Sequence, residues 1–194
     1  MSQSDTRTRI LDIAQELVQR LGVNAMSYQH ISNAVGIRKA SIHHHFPTKE
    51  DLITALLNRY NASFLGLVDD IVTAPIDGKA KLLKYVGLFE ATLSDSSGEK
   101  ACLCGMIGAE LATLGCPSVE LVRWFYQENE RRLTQILVQG REESRFRFKG
   151  DAGQVAKMTF ALLEGGVLIA RSRDCNAYFA DVRDGLLKLL LDEI

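Results

Sequence analysis

An all-α fold is predicted by three features of the 194-residue chain. Apolar residues recur at three- and four-residue spacing in one segment after another, as helices with one buried face require. No stretch alternates apolar and polar residues at period two beyond the brief Arg145-Phe146-Arg147-Phe148. Glycine and proline (Gly22, Gly36, Pro47, Gly78, Pro117) fall between the periodic segments, where they end helices. No internal repeat and no low-complexity stretch is present, and about nine helices fit.

The first helix is predicted from about Thr6 to Leu21, with Ile10, Leu11, Ala14, Leu17, Val18 and Leu21 on one stripe and Gly22 at its end. Ser27, an N-cap type residue, opens a short second helix whose Ile31, Ala34 and Val35 share a face. Gly36 permits a sharp turn, and Ile37 fills the angle before a third helix begins. This is a helix-turn-helix. With Ile42 buried, a rotation of about 100° per residue turns Ala40 and His44 outward, flanked by Ser41 and His43. Arg38 and Lys39 put positive charge at a helix start, against the macrodipole preference, and an anionic partner such as phosphate explains that placement. Phe46 reaches back to the core and Pro47 stops the helix. Thr48-Lys-Glu-Asp51 then opens a fourth helix with a capping box, running through Leu52, Leu56 and Tyr60 toward Val72.

The remainder also reads as helical. Residues 79–93 form one helix, 94–100 (SDSSGEK) a loop, and 102–114 a glycine-containing helix ended by Gly115-Cys116-Pro117. Ser118 caps a long helix through Val122, Phe125, Leu133 and Leu137, and 152–172 and 177–191 are the last two helices. Val155, Met158, Thr159, Leu162, Leu163, Gly166 and Ile169 on one of these, with Phe179, Val182, Leu186, Leu187, Leu189, Leu190 and Leu191 on the other, exceed what a terminal hairpin buries by itself. A partner chain is therefore expected there, and Gly165-Gly166 would let its backbone come close.

A net charge of −1 does not by itself suggest nucleic acid. Residues 1–60, however, hold seven Lys/Arg against five Asp/Glu, a net of +2, and all four histidines. The polar start and the absence of an apolar run of about 20 residues argue against a signal peptide and a membrane span, so a cytoplasmic protein is expected. Its four cysteines are then thiols rather than a disulfide framework. His43-His44-His45 fan apart on a helix and cannot converge on one metal ion, and Cys102-x-Cys104 lacks zinc-knuckle spacing. Neither a phosphate loop nor a nucleophile motif appears, so neither enzyme chemistry nor a cofactor is expected. Glu110 and Glu164, in otherwise apolar helices, face either a ligand or solvent. Trp124, beside Phe125 and Tyr126, belongs either to the core or to a pocket.

The stretch GIRKASIHHHFPTKEDL at 36–52, preceded by ILDIAQELVQRLGVNAMSYQHISNAV, resembles the DNA-binding domain of TetR-family transcriptional regulators over roughly residues 8–55. His43 stands where the family usually has Tyr, and Arg38 where it often has Ser or Thr. The resemblance implies a DNA-binding domain at 1–50 and a ligand-binding and dimerisation domain at 51–194. It implies a homodimer bound to a double-stranded, pseudo-palindromic operator and released by a small-molecule effector. It places Lys39, Ala40, Ser41 and His44 on base edges with Gln29 adding a contact, and Ser27, His43 and Lys49 on phosphates. It also implies a four-helix dimer interface, for which Leu162, Gly166, Ile169, Val182, Leu186 and Leu190 are the expected residues. GEKACLCGMIGAELATLG at 98–115 resembles a subfamily segment in which a Gly-Cys-Leu-like motif begins the helix beneath the effector pocket. Cys102 matches its cysteine and Ala101 replaces its glycine, making Cys102 a candidate sensor. A first-turn thiol two residues after Lys100 has two reasons to ionise readily. The competing class is a helical dimer that keeps the helix-turn-helix without binding an operator; the basic Arg38, Lys39 and Lys49 argue against it.

Overall fold

The computed structural model describes residues 3–93, 100–173 and 175–191. Among them are nine α-helices, one 3-10 turn and no strand. The helices are α1 (Gln3–Leu21), α2 (Tyr28–Val35), α3 (Lys39–His45), α4 (Lys49–Thr73), α5 (Gly78–Leu93), α6 (Leu103–Gly108), α7 (Cys116–Glu142), α8 (Ala152–Ala170) and α9 (Cys175–Leu191). The predicted all-α class and the order of long helices hold. Most of the loop expected at 94–100 lies outside the described residues, as does the side chain of Cys175.

The chain divides into two compact units, and the division differs from the expected break after residue 50. The first contains residues up to Ala62 together with Leu103–Trp124, and the second contains Ser63–Cys102 together with Phe125 onward. In the first unit the apolar stripe of α1 (Ile10, Leu11, Ala14, Val18) is buried with Ile31, Val35, Ile42, Phe46, Leu52 and Leu56. Leu103, Cys104 and Ile107 of α6 join this core, and α6 lies against α1. Two polar links bind the distant segments. Asn61 donates to the Leu121 carbonyl at 3.0 Å and accepts from the Cys104 thiol at 3.3 Å. Glu50 accepts from the Gly115 and Ser118 amides and from the Ser118 hydroxyl, the last at 2.6 Å.

That second link corrects the reading of Ser118 as a cap. Helix α7 starts at Cys116, with Pro117 in its first turn, where a missing N–H removes no helix bond. Glu50, reaching in from α4, supplies the negative charge that its N-terminus favours. The helix expected over 102–114 is also broken: it ends at Gly108, and Leu111–Thr113 form a separate 3-10 turn. Gly105 and Gly108 weaken it, and Glu110 turns aside toward another partner.

In the second unit α5, α8 and α9 pack against one another. Asp151 caps α8 by accepting from the Gln154 amide at 2.9 Å. The core gathers Leu82, Tyr85, Val86, Phe89, Phe125, Leu133, Phe160, Leu163, Val167 and Phe179. Arg132 is held between Asp69 and Glu128; its guanidinium holds the Asp69 carboxyl below its usual range, and bonds from Arg131 first and Arg132 after it do the same for Glu128. By length and composition alone α8 meets the threshold for a membrane span, which the sequence reading did not anticipate. Its Ala156, Phe160, Leu163 and Val167 are nonetheless buried within the protein.

Candidate functional site

The α2–α3 pair is fixed by short-range chemistry. Ser27 accepts from the His30 amide at 3.3 Å and caps α2. Gly36 closes it in the left-handed region, φ 75°, and its amide donates to the Ser32 carbonyl. The Ser32 hydroxyl donates to the Ile37 carbonyl at 2.6 Å, which braces the turn. Ile42 is buried, as expected, so α3 turns its opposite side to solvent. Arg38, Lys39, Ala40, His43 and His44 are exposed, while Ser41 is half-buried. This face is small, polar and basic. Gln29 is exposed on α2, donating to Asn33 at 2.7 Å.

Tyr28 ties α3 to α4. Its hydroxyl lies 2.9 Å from the Phe46 carbonyl and 2.6 Å from that of Thr48, and its ring centroid is 4.8 Å from that of His43. Burial first, and the Asp51 charge second, raise the Tyr28 pKa to about 12, so it stays a donor. His43 Nδ1 meets the Pro47 carbonyl at 3.1 Å; a carbonyl only accepts, so this contact requires the proton on Nδ1. The expected capping box forms, with Thr48 and Asp51 each accepting from the other's amide. Lys49 has an internal partner, its ammonium donating to the Met26 carbonyl at 2.8 Å. Burial lowers its pKa and the charge of Glu110 works against that shift.

The four residues expected at an effector site are divided between the two units. Glu110 and Trp124 fall in the first unit, Cys102 and Glu164 in the second. Glu110 accepts from the Asn24 amide at 2.9 Å, in the α1–α2 connection, and so serves the helix-turn-helix body. Trp124 is 46% exposed and lines no core. Cys102 is buried and its thiol donates to Glu164, whose other oxygen, Oε1, is shut off from solvent without a hydrogen-bond partner. Burial pushes the Glu164 pKa up to about 7, and the Cys102 bond partly offsets this. Tyr85, which the sequence reading missed, is fully buried nearby and donates to Asn129 at 3.2 Å. Its pKa is raised well above the usual value, by burial and then by Glu164. The electronic setting of Cys102 thus differs from the expected one. It precedes a helix of only six residues, and its thiol is engaged by the Glu164 carboxyl.

The hairpin of α8 and α9 sorts the expected interface residues. Leu162 and Ile169 are exposed at 41% and 45%, joined by Met158, Leu168 and Leu189. Val182 is half-buried, and Leu186 and Leu190 are buried within the chain itself. Gly166 is corrected as well. A Cβ there would meet Val182 Cγ1 at 3.1 Å and the Phe179 ring at 3.4 Å, so its missing side chain admits the protein's own α9.

A braced α2–α3 turn with a solvent-facing basic helix, followed by a larger helical unit, defines a helix-turn-helix regulator. Residues 10–56 match the family described as bacterial regulatory proteins, tetR family, and residues 78–186 match the tetracyclin repressor-like C-terminal domain. The chain belongs to the TetR family. It is 30% identical to a TetR-family transcriptional regulator from Agrobacterium tumefaciens, covering 98% of this chain and 100% of that one with a TM-score of 0.92. It is 24% identical over 175 residues to the HTH-type transcriptional repressor NemR of Escherichia coli, 88% of this chain and 86% of that protein. It is 34% identical over 80 residues to the repressor KstR2 of Rhodococcus jostii, a match spanning 41% of this chain and 39% of that protein.

Proposed function

We propose that the protein is a transcriptional repressor that binds a pseudo-palindromic operator as a homodimer and is released by a small molecule held in its second unit. The observation that carries this reading is the exposed face of α3, where Arg38, Lys39, Ala40, His43 and His44 stand clear of solvent-shielding neighbours above a buried Ile42. A helix presented this way fits the major groove, and two copies related by a two-fold axis read two half-sites. The repressor relatives support the sign of regulation. Effector release follows from differential affinity: the ligand favours the arrangement in which the two recognition helices no longer match successive grooves. Selection of bound fragments from the source genome by the purified protein tests the reading; recovery of no enriched sequence sinks it.

Within this reading Lys39→Ala removes a base-edge contact and is expected to weaken operator binding by about 1–3 kcal/mol, while relaxing preference at one base position. Fluorescence anisotropy on singly substituted operators measures both. Equal losses on every sequence would move Lys39 to the phosphates.

The exposed apolar side chains of α8 and α9 are the proposed two-fold contact. Replacing Met158 and Leu189, exposed at 72% and 76%, by Glu together leaves each chain's core intact and is expected to give a folded monomer. Analytical ultracentrifugation of the double variant provides the test, and a dimer that persists removes this face from the interface.

A further inference from the structure

We infer that His43 meets an operator phosphate as an imidazolium, so that DNA binding takes up protons and the affinity for DNA falls as pH rises through neutrality. The inference rests on the proposal that α3 is the recognition helix, and it names the charge state in which one of its residues works.

The geometry around the ring carries it. His43 Nδ1 lies 3.1 Å from the Pro47 carbonyl, an acceptor that holds a proton on Nδ1 whether the ring is neutral or charged. Moving that proton to Nε2 would set two lone pairs against each other, so the ring cannot change tautomer to suit a partner. Nε2 is then the ring nitrogen left to meet an outside group, on a side chain that is exposed. In the neutral ring Nε2 bears only a lone pair, which repels a phosphate oxygen. A second proton turns it into a charged donor.

The placement of the ring selects phosphate over a base edge. Tyr28 of α2, its centroid 4.8 Å away, and Pro47, ahead of α4, hold the ring at the flank of α3. Tyr28 is itself fixed by the Phe46 and Thr48 carbonyls. A helix laid in the major groove turns its outward line, here Ala40 and His44, to the base edges and its flanks to the backbone walls. The setting also suits a cation, with an aromatic ring close by and the dipole of the last turn of α3 favouring positive charge. Around the ring, α3 brings Arg38, Lys39 and His44, α2 brings His30 besides Tyr28, and α4 brings Lys49 and Asp51. Neither α2 nor α3 contains an acidic residue, and Asp51 is engaged with Thr48. The counter-charge for the second proton therefore comes from DNA.

Fluorescence anisotropy at constant salt, from pH 6 to 8.5, measures binding of the full-length protein to a fragment recovered by the genomic selection. Wild-type affinity is expected to fall by about tenfold or more between pH 6 and 8, with uptake of up to about two protons per dimer. Calorimetric titration in phosphate and in Tris, which differ in ionisation enthalpy, counts those protons. His43→Tyr keeps a hydroxyl donor that does not titrate in this range, so it should bind with a flatter profile and take up fewer protons. His30, His44 and His45 remain in that variant and report their own share. Circular dichroism melts at both ends of the range show that each protein is folded at the assay temperature. Wild-type affinity independent of pH, or a profile that His43→Tyr shares in full, overturns the inference while leaving the operator reading intact. Binding of no fragment at any pH removes both.

Discussion

Gly78→Ala is expected to destabilise this protein strongly for the addition of a single methyl. The start of α5 crosses α7 with backbone against backbone: a Cβ on Gly78 would lie 2.5 Å from the Gly140 nitrogen and 3.2 Å from the Ile136 carbonyl oxygen, besides contacting the Gly140 Cα. No flexible side chain is available to yield. The same approach lets the Gly78 amide donate to Glu143 at 2.7 Å, a bond that, after that from the Gln139 side chain, holds the Glu143 carboxyl below its usual range. Separating the helices costs about 3 kcal/mol or more, as overpacking against rigid neighbours does. For a chain this long that corresponds to a fall of roughly 10 °C in melting temperature. Gly87→Ala, in the same helix, is the control, since a Cβ there meets nothing within 4 Å. It should stabilise by up to about 1 kcal/mol through helix propensity alone. Differential scanning calorimetry of both variants decides the matter, and similar melting temperatures would mean that the crossing is looser than described.

Stability is expected to fall as pH rises from about 5 to about 8, opposite to the usual behaviour of carboxylates, because of Glu164. The sign follows from proton binding. In the unfolded chain Glu164 titrates at its ordinary 4.5, and in the folded protein at about 7, so the native state binds the extra proton between those values. Raising the pH through that window strips a proton that only the folded state held, and by pH 8 the penalty reaches at most on the order of 3 kcal/mol. The effect is separable from that of Asp69 and Glu128. Their folded values are depressed, so their contribution is lost as pH falls below their ordinary values, outside this window. Glu164→Gln should flatten the profile between pH 5 and 8 and raise the melting temperature at the alkaline end. A slope unchanged by that substitution would place its origin elsewhere.

What was legible in the sequence was what neighbouring residues decide. Ser27, Gly36, Ile42 and the Thr48–Asp51 pair act within a few positions of themselves, so the helix-turn-helix and its outward face were readable. Asp151 and Pro117 mark helix starts by the same local rules, although Ser118 was mistaken for a cap because its true role depends on Glu50, 68 positions away. Long-range pairing accounts for the other differences. An acid amid apolar neighbours describes Glu110 and Glu164 equally well, yet one meets Asn24 and the other Cys102. Periodicity likewise showed that α8 and α9 each carry a broad apolar surface. It did not show which part each turns to the other, so Gly166, Leu186 and Leu190 were assigned outward although they face inward.

The discontinuous first unit bears on how such regulators exchange parts. The family boundaries invite a crossover between residues 56 and 78, joining this helix-turn-helix head to another family member's C-terminal body. That cut leaves Leu103–Trp124 behind with the discarded half. Glu50 loses Ser118 and Gly115, Asn61 loses Cys104 and Leu121, and the α1–α2 connection loses Glu110. A hybrid must therefore bring a compatible counterpart of this inserted segment, which makes it a co-inherited piece of the head even though the chain threads it through the middle of the body.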